Sequence, residues 1–132
     1  MNVPEMSAEI GLCLSPLPHL WLIDIDGTIV IHNGHLTGQD DLLPGVAAFW
    51  KNIPQGDTIV LLSARADAYR EPTLEWLSHK ELRFDHALFG LPTGERILIN
   101  DKKDSGLLTA LAVNLTRNEG LNGIEFMIDA NL

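Results

Sequence analysis

The sequence predicts an α/β domain with a mostly parallel central sheet, on three observations. Apolar, strand-like runs at 20–23, 58–62 and 96–99 alternate with stretches of helical spacing at 46–53, 68–82 and 105–117. Each run leads into polar side chains: Asp24 and Asp26 after the first, Ser63 after the second, Asp101 after the third. In parallel α/β sheets, ligands bind outside the carboxyl ends of the strands at a switch in strand order, so these four residues would gather at one edge. The 132 residues suffice for one domain with a single core.

Composition narrows the function classes. The net charge of −9 argues against non-specific binding of nucleic acid, which rests on cationic patches. A small phosphorylated substrate stays compatible with it, because a metal ion reverses the local field. No segment approaches the length that spans a membrane. A single cysteine, Cys13, permits no internal disulfide and fits a reducing compartment. No basic region followed by a continuous apolar run opens the chain, so no cleaved signal peptide is expected. The expectation is a soluble cytoplasmic protein without membrane or nucleic-acid partners.

Residues 1–19 contain three prolines and no clean period, which predicts an irregular lead-in to a domain over 20–132. Ile10, Leu12 and Leu14 would pack on that domain, and His19 would be structural. Residues 20–24 read as a buried strand that breaks at Gly27. Residues i and i+2 of a strand share a face, so Asp24 and Asp26 converge. Two such carboxylates repel unless a cation or donor compensates, which suits either metal binding or proton transfer. A strand running out into a solvated Asp-Gly turn has the same spelling.

Asn33-Gly34 between β-compatible residues predicts a hairpin over Ile29–Thr37. His32 and His35 on it would either face a substrate or stand in solvent. Asp40 and Asp41 precede the helical stretch 46–53, where acidic residues favour the helix dipole. After the strand 58–62, Ser63 suits either an anion site with backbone N–H groups or an ordinary helix cap. Pro72 marks the first turn, or a break, of the segment 68–82. Residues 86–89 form a short strand, 90–94 a turn, and 96–101 another apolar run ending in Asp101. Asp104 either supports that acid or is solvated. Leu107, Leu108, Leu111, Ala112 and Leu115 fall on one face of a helix over Ser105–Arg117. Residues 124–128 form a last short strand. No repeat is present, and no Cys/His cluster suggests zinc. Carboxylates instead suit magnesium, which takes oxygen ligands.

Asp24-Ile25-Asp26-Gly27-Thr28 resembles the DxDGT signature of the haloacid dehalogenase superfamily, most of whose members are magnesium-dependent phosphatases. The resemblance spans about residues 20–105. It implies a Rossmann-like three-layer sandwich with a flap hairpin and, because the gaps between motifs are short, no cap domain. It makes Asp24 the nucleophile and Asp26 the general acid and base. Ser63, with Ala64 and Arg65, would bind the phosphoryl group. Asp24, the Asp26 carbonyl and Asp101 would hold Mg2+, with Asn100 where some members carry a second acid. The implied reaction is hydrolysis of a phosphate monoester, a sugar phosphate or related metabolite, through an aspartyl-phosphate. Phe89-Gly90-Leu91-Pro92 is similar to a stretch of small members that reads Gly-Lys-Pro, with Leu91 in the lysine's place. Arg65 is the expected substitute cation, ahead of Arg96 and Lys80, because Arg96 at the start of a strand would stand roughly 16 Å from the carboxylates. Without a cap, either bulky substrates enter or a homo-oligomer or partner chain covers the site. Two other readings remain at this level: a weak or inactive relative that binds a phosphorylated ligand or partner, and a receiver-like signalling domain.

Overall fold

The computed structural model describes residues 8–37 and 40–132. The chain is an α/β domain with parallel sheets, as the alternation of runs predicts. Strand β2 (Leu20–Asp24) pairs in parallel with β3 (Thr58–Leu62), and β3 with β4 (His86–Leu88), giving the order β2-β3-β4. Leu20 faces Thr58 and Asp24 faces Leu62, so β2 and β3 end at the same level. The lead-in is not irregular throughout. Ile10–Leu14 forms strand β1, which pairs in parallel with β5 (Ile124–Ile128) as a separate two-stranded sheet. The alternation of Ile10, Leu12 and Leu14 has the period of two that a half-buried strand requires. The first seven residues of the lead-in lie outside the described residues.

Helix α2 (Val46–Asn52) and helix α3 (Arg70–His79) cover the sheet, α3 following one turn of 3-10 helix at Asp67–Tyr69. Val46, Phe49 and Trp50 of α2 and Leu77 of α3 are buried with Ile23, Ile25, Ile59 and Leu61. Trp21 of β2 and Phe126 of β5 meet at 5.0 Å between ring centroids with their planes tilted by 55°, each edge-on to Phe49, so aromatic packing joins the two sheets. Asp57 anchors the start of β2. Its carboxylate accepts from Trp21 Nε1 at 2.8 Å and from the His19 backbone N–H at 3.0 Å, and pairs with His19 Nδ1 at 2.8 Å. His19 is thereby a structural residue, its Nε2 facing the Ser15 carbonyl.

Three expected elements do not form. The Ile29–Thr37 hairpin is replaced by a turn and the four-residue helix α1 (Gly34–Thr37). The N–H groups of Thr28, Ile29 and Val30 all converge on the Ile25 carbonyl, which draws Ile29 and Val30 into the core and away from a ladder. The run 96–101 forms no strand, and Ile97 and Ile99 remain 83% and 88% exposed. A strand exists only where its N–H and C=O groups find a partner, and among the described residues β2 is paired on its β3 side only. Ser105–Arg117 forms no helix. Gly106 sits at φ +95, and Leu108 and Leu111 stay exposed, so the apolar face that would stabilise so short a helix is not buried. Among the described residues no helix is long and apolar enough to cross a membrane.

Candidate active site

The polar cluster lies where β2 and β3 end. Asp24 is the last residue of β2, and the chain turns at Gly27 with φ +84, a left-handed conformation that favours glycine. A methyl group there would stand 3.1 Å from Arg117 Cγ, while the Asn118 N–H donates to the Gly27 carbonyl at 2.8 Å. Asn118 Oδ1 also accepts from the His32 N–H at 2.7 Å, so residues 117–118 clamp the turn from outside. Nothing in the sequence pattern signalled that clamp.

Asp24 and Asp26 have different surroundings. Asp24 Oδ2 accepts from the Thr28 hydroxyl at 3.3 Å and Oδ1 from Arg96 Nη1 at 2.8 Å, at a third to two-fifths exposure. Asp26 is more enclosed. Arg65 Nε donates to both its oxygens at 3.1 Å, and Nη2 to Oδ1 at 2.9 Å. The same guanidinium reaches Asp40 through Nη1 and Nη2, at 3.0 and 2.9 Å, and Thr73 Oγ1 at 2.9 Å. The Arg65 side chain is 1% exposed. Burial by itself would lower its pKa, but the hydrogen bonds and charges of Asp40 and Asp26 outweigh that and raise it.

Ser63 is fully buried. Its hydroxyl accepts from the Arg65 N–H at 3.0 Å and donates to Asp26 Oδ2 at 3.4 Å. It therefore ties the end of β3 to the acid pair. Ala64 is exposed, and its N–H meets no acceptor among the described residues. His35 of α1 lies edge-on to Tyr69, with Nδ1 buried, unpartnered and 3.9 Å from Asp26 Oδ1. Burial, then the nearby Arg65 charge, holds its pKa below the usual value against the opposing pull of Asp26 and Asp40. His35, Arg65, Asp40, Tyr69, Trp76 and Lys80 line an open cleft of about 520 Å3.

Several expectations change with this geometry. Arg65 reaches the site, but each of its N–H groups is already engaged by protein acceptors, so it orients Asp26 and has no free donor for a phosphoryl oxygen. Arg96 is the cation on Asp24. Its segment is not a strand, so the separation expected from strand geometry does not apply. Lys80 lies over the Trp76 ring at 5.4 Å on the cleft wall. Asp40 does not serve a helix dipole: the first turn of α2 holds no acid, and Asp40 pairs with Arg65. Asp101 is exposed, and its carbonyl accepts from the Thr109 hydroxyl; no contact joins it to Asp24 or Asp26. No group of three His, Cys, Asp or Glu residues that could hold a metal is found among the described residues.

No family model matches the chain, and no curated protein matches it either. Two solved chains are similar to it. One, from a Pnkp1/Rnl/Hen1 complex, is 34% identical over 62% of this chain, with a TM-score of 0.48. The other, from the Pnkp1/Rnl/Hen1 RNA repair complex, is 31% identical over 72% of this chain, again with a TM-score of 0.48. This chain spans 31% and 33% of their lengths.

Proposed function

We propose that the protein is a magnesium-dependent phosphatase acting on a phosphate monoester, with Asp24 as nucleophile. The observation that carries this reading is the unequal treatment of the acid pair at one strand end. Asp24 is partly exposed, between a hydroxyl and a guanidinium, while both oxygens of Asp26 beside it are held by Arg65. An Asp24 oxygen forms the bond to phosphorus as the P–O ester bond breaks, and Asp26 gives its proton to the departing oxygen. Water then attacks the aspartyl-phosphate, Asp26 takes its proton, and Asp24 is released with inorganic phosphate. Arg96 offsets charge on the phosphoryl oxygens as it develops, and the N–H of exposed Ala64, which has no acceptor among the described residues, supplies a second donor. Of the expected metal ligands, Asp24 and the Asp26 carbonyl suit Mg2+, which is commonly held by one or two carboxylates with water and substrate phosphate. When bound there, the ion supplies charge neutralisation between the acids and the phosphoryl group.

Asp24→Asn is expected to abolish phosphate release from monoesters while leaving the circular dichroism spectrum unchanged. Turnover within tenfold of the unmodified protein would refute the assignment. A second reading, a phosphate-ligand-binding domain with little turnover, is favoured by the separation of Asp101 from the acid pair, which leaves the expected metal set incomplete among the described residues. Calorimetric binding of a phosphorylated ligand with no release in the presence of Mg2+ would select it.

A further inference from the structure

We propose that Asp40 is a positioning residue that sets the orientation of Asp26 through Arg65; this rests on the phosphatase reading, in which Asp26 moves the proton. The guanidinium stands between two carboxylates on adjacent edges. Nε and Nη2 face Asp26, while Nη1 and Nη2 face Asp40 in the parallel two-bond geometry that fixes both planes. Thr73 Oγ1 takes the remaining Nη1 proton. The Nε and Nη2 bonds to Asp26 already oppose a turn of the planar group about its Cδ–Nε axis. With Asp40 on the second edge, that turn would break two further charge-assisted bonds, so Asp40 stiffens the plane against which Asp26 is set. The side chains of Arg65, Asp40 and Asp26 are 1%, 10% and 12% exposed, so water does not replace a lost partner readily.

An alternative role for Asp40, holding the place of a phosphoryl group that later displaces it, fits less well. The guanidinium is enclosed, and a displaced Asp40 carboxylate would stay beside the entering anion as a like charge. Removing the Asp40 charge leaves one guanidinium against one carboxylate. Asp40→Asn is therefore a balanced substitution that the fold should tolerate, and Asp40→Glu restores the charge on a longer arm.

The test measures p-nitrophenyl phosphate hydrolysis with Mg2+ and, by NMR, hydrogen exchange of the Arg65 Nε–H. Asp40→Asn should lower kcat about 10²-fold with KM within about threefold, as expected for a displaced proton donor. Asp40→Glu should recover part of the loss. In the Asp26→Asn background, Asp40→Asn should cost nothing further. The Nε–H, protected in the unmodified protein, should exchange much faster in Asp40→Asn. Unchanged kcat, or a lowered KM at constant kcat, would overturn the proposal, the latter in favour of the placeholder role. If the unmodified protein hydrolyses no monoester, the phosphatase reading fails by itself. The exchange rate then decides for Asp40: lost protection upholds its hold on Arg65, and retained protection overturns it.

Discussion

Arg96 and Arg65 show how an arginine's neighbours decide its use. Both reach the acid pair, but Arg65 is buried with every N–H engaged, whereas Arg96 contacts Asp24 through Nη1 and stays partly exposed. Arg96→Ala should therefore reduce kcat by about 10²–10³-fold, the range typical of a lost oxyanion donor. Lys80→Ala should change it less than about threefold in the same phosphate-release assay, because its ammonium lies on Trp76 and away from Asp24. Equal losses would move the cation's role elsewhere. Asp57 carries a prediction of stability. Burial acts to raise its pKa, but the Trp21 and His19 hydrogen bonds outweigh that and hold it below its ordinary value. A carboxyl with a depressed folded pKa binds fewer protons folded than unfolded. Its stabilisation is thus complete above its unfolded pKa, near 4, and is lost as pH falls through the lower folded value. Asp57→Asn should cost roughly 2–4 kcal/mol at neutral pH, read from denaturant midpoints, and should flatten the loss of stability below about pH 4.

At the scale of elements, the approach to β5 is held to the start of α2 by backbone contacts. Gly120 has φ +82, and a Cβ there would collide with the Pro44 carbonyl oxygen. The Leu121 N–H donates to that same oxygen at 2.8 Å, fastening the approach to β5 against the start of α2. Gly120→Ala must shift backbone and adopt a left-handed conformation, so a loss of about 3 kcal/mol or more is expected in thermal or urea unfolding. A loss under about 1 kcal/mol would mean that the two segments separate easily. Trp21, Phe49 and Phe126 meet on the same side of the molecule. The approach of β5 to α2 therefore sets the packing that joins the two sheets.

For the whole molecule, the open cleft next to the acid pair holds about 520 Å3 and is lined by Asp40, Arg65, Tyr69, Trp76 and Lys80, while Asp24 itself is a third exposed. Among the described residues, the helices between β2 and β4 are α1, α2, the 3-10 turn at Asp67–Tyr69 and α3. Access should then depend weakly on leaving-group size. The kcat/KM values of a small alkyl phosphate and of a bulky aryl phosphate, corrected for leaving-group pKa, should agree within about tenfold. A 10³-fold preference for the small ester would instead indicate an enclosed site.

The alternation of apolar runs and helical spacing was legible without coordinates because β2, β3 and their flanking helices bury one face or both, and burial writes a period into the residues. The strand-end placement of Asp24, Asp26 and Ser63 followed from the same logic, since a polar residue after a buried run marks where the core stops. β1 was missed because its alternation is short and lies among prolines, and its partner β5 is more than a hundred residues away. The hairpin, the fourth strand at 96–101 and the last helix were over-read, because Asn-Gly and apolar spacing state what a segment could form if a partner surface received it. Tertiary packing alone decided that Ile29 and Val30 turn into the core. It also decided that Arg96 swings to Asp24, and that Asp40, whose sequence suggests only a helix approach, joins Asp26 across Arg65. Those pairings span 25 to 72 residues, and no local period encodes a contact between side chains so far apart along the chain.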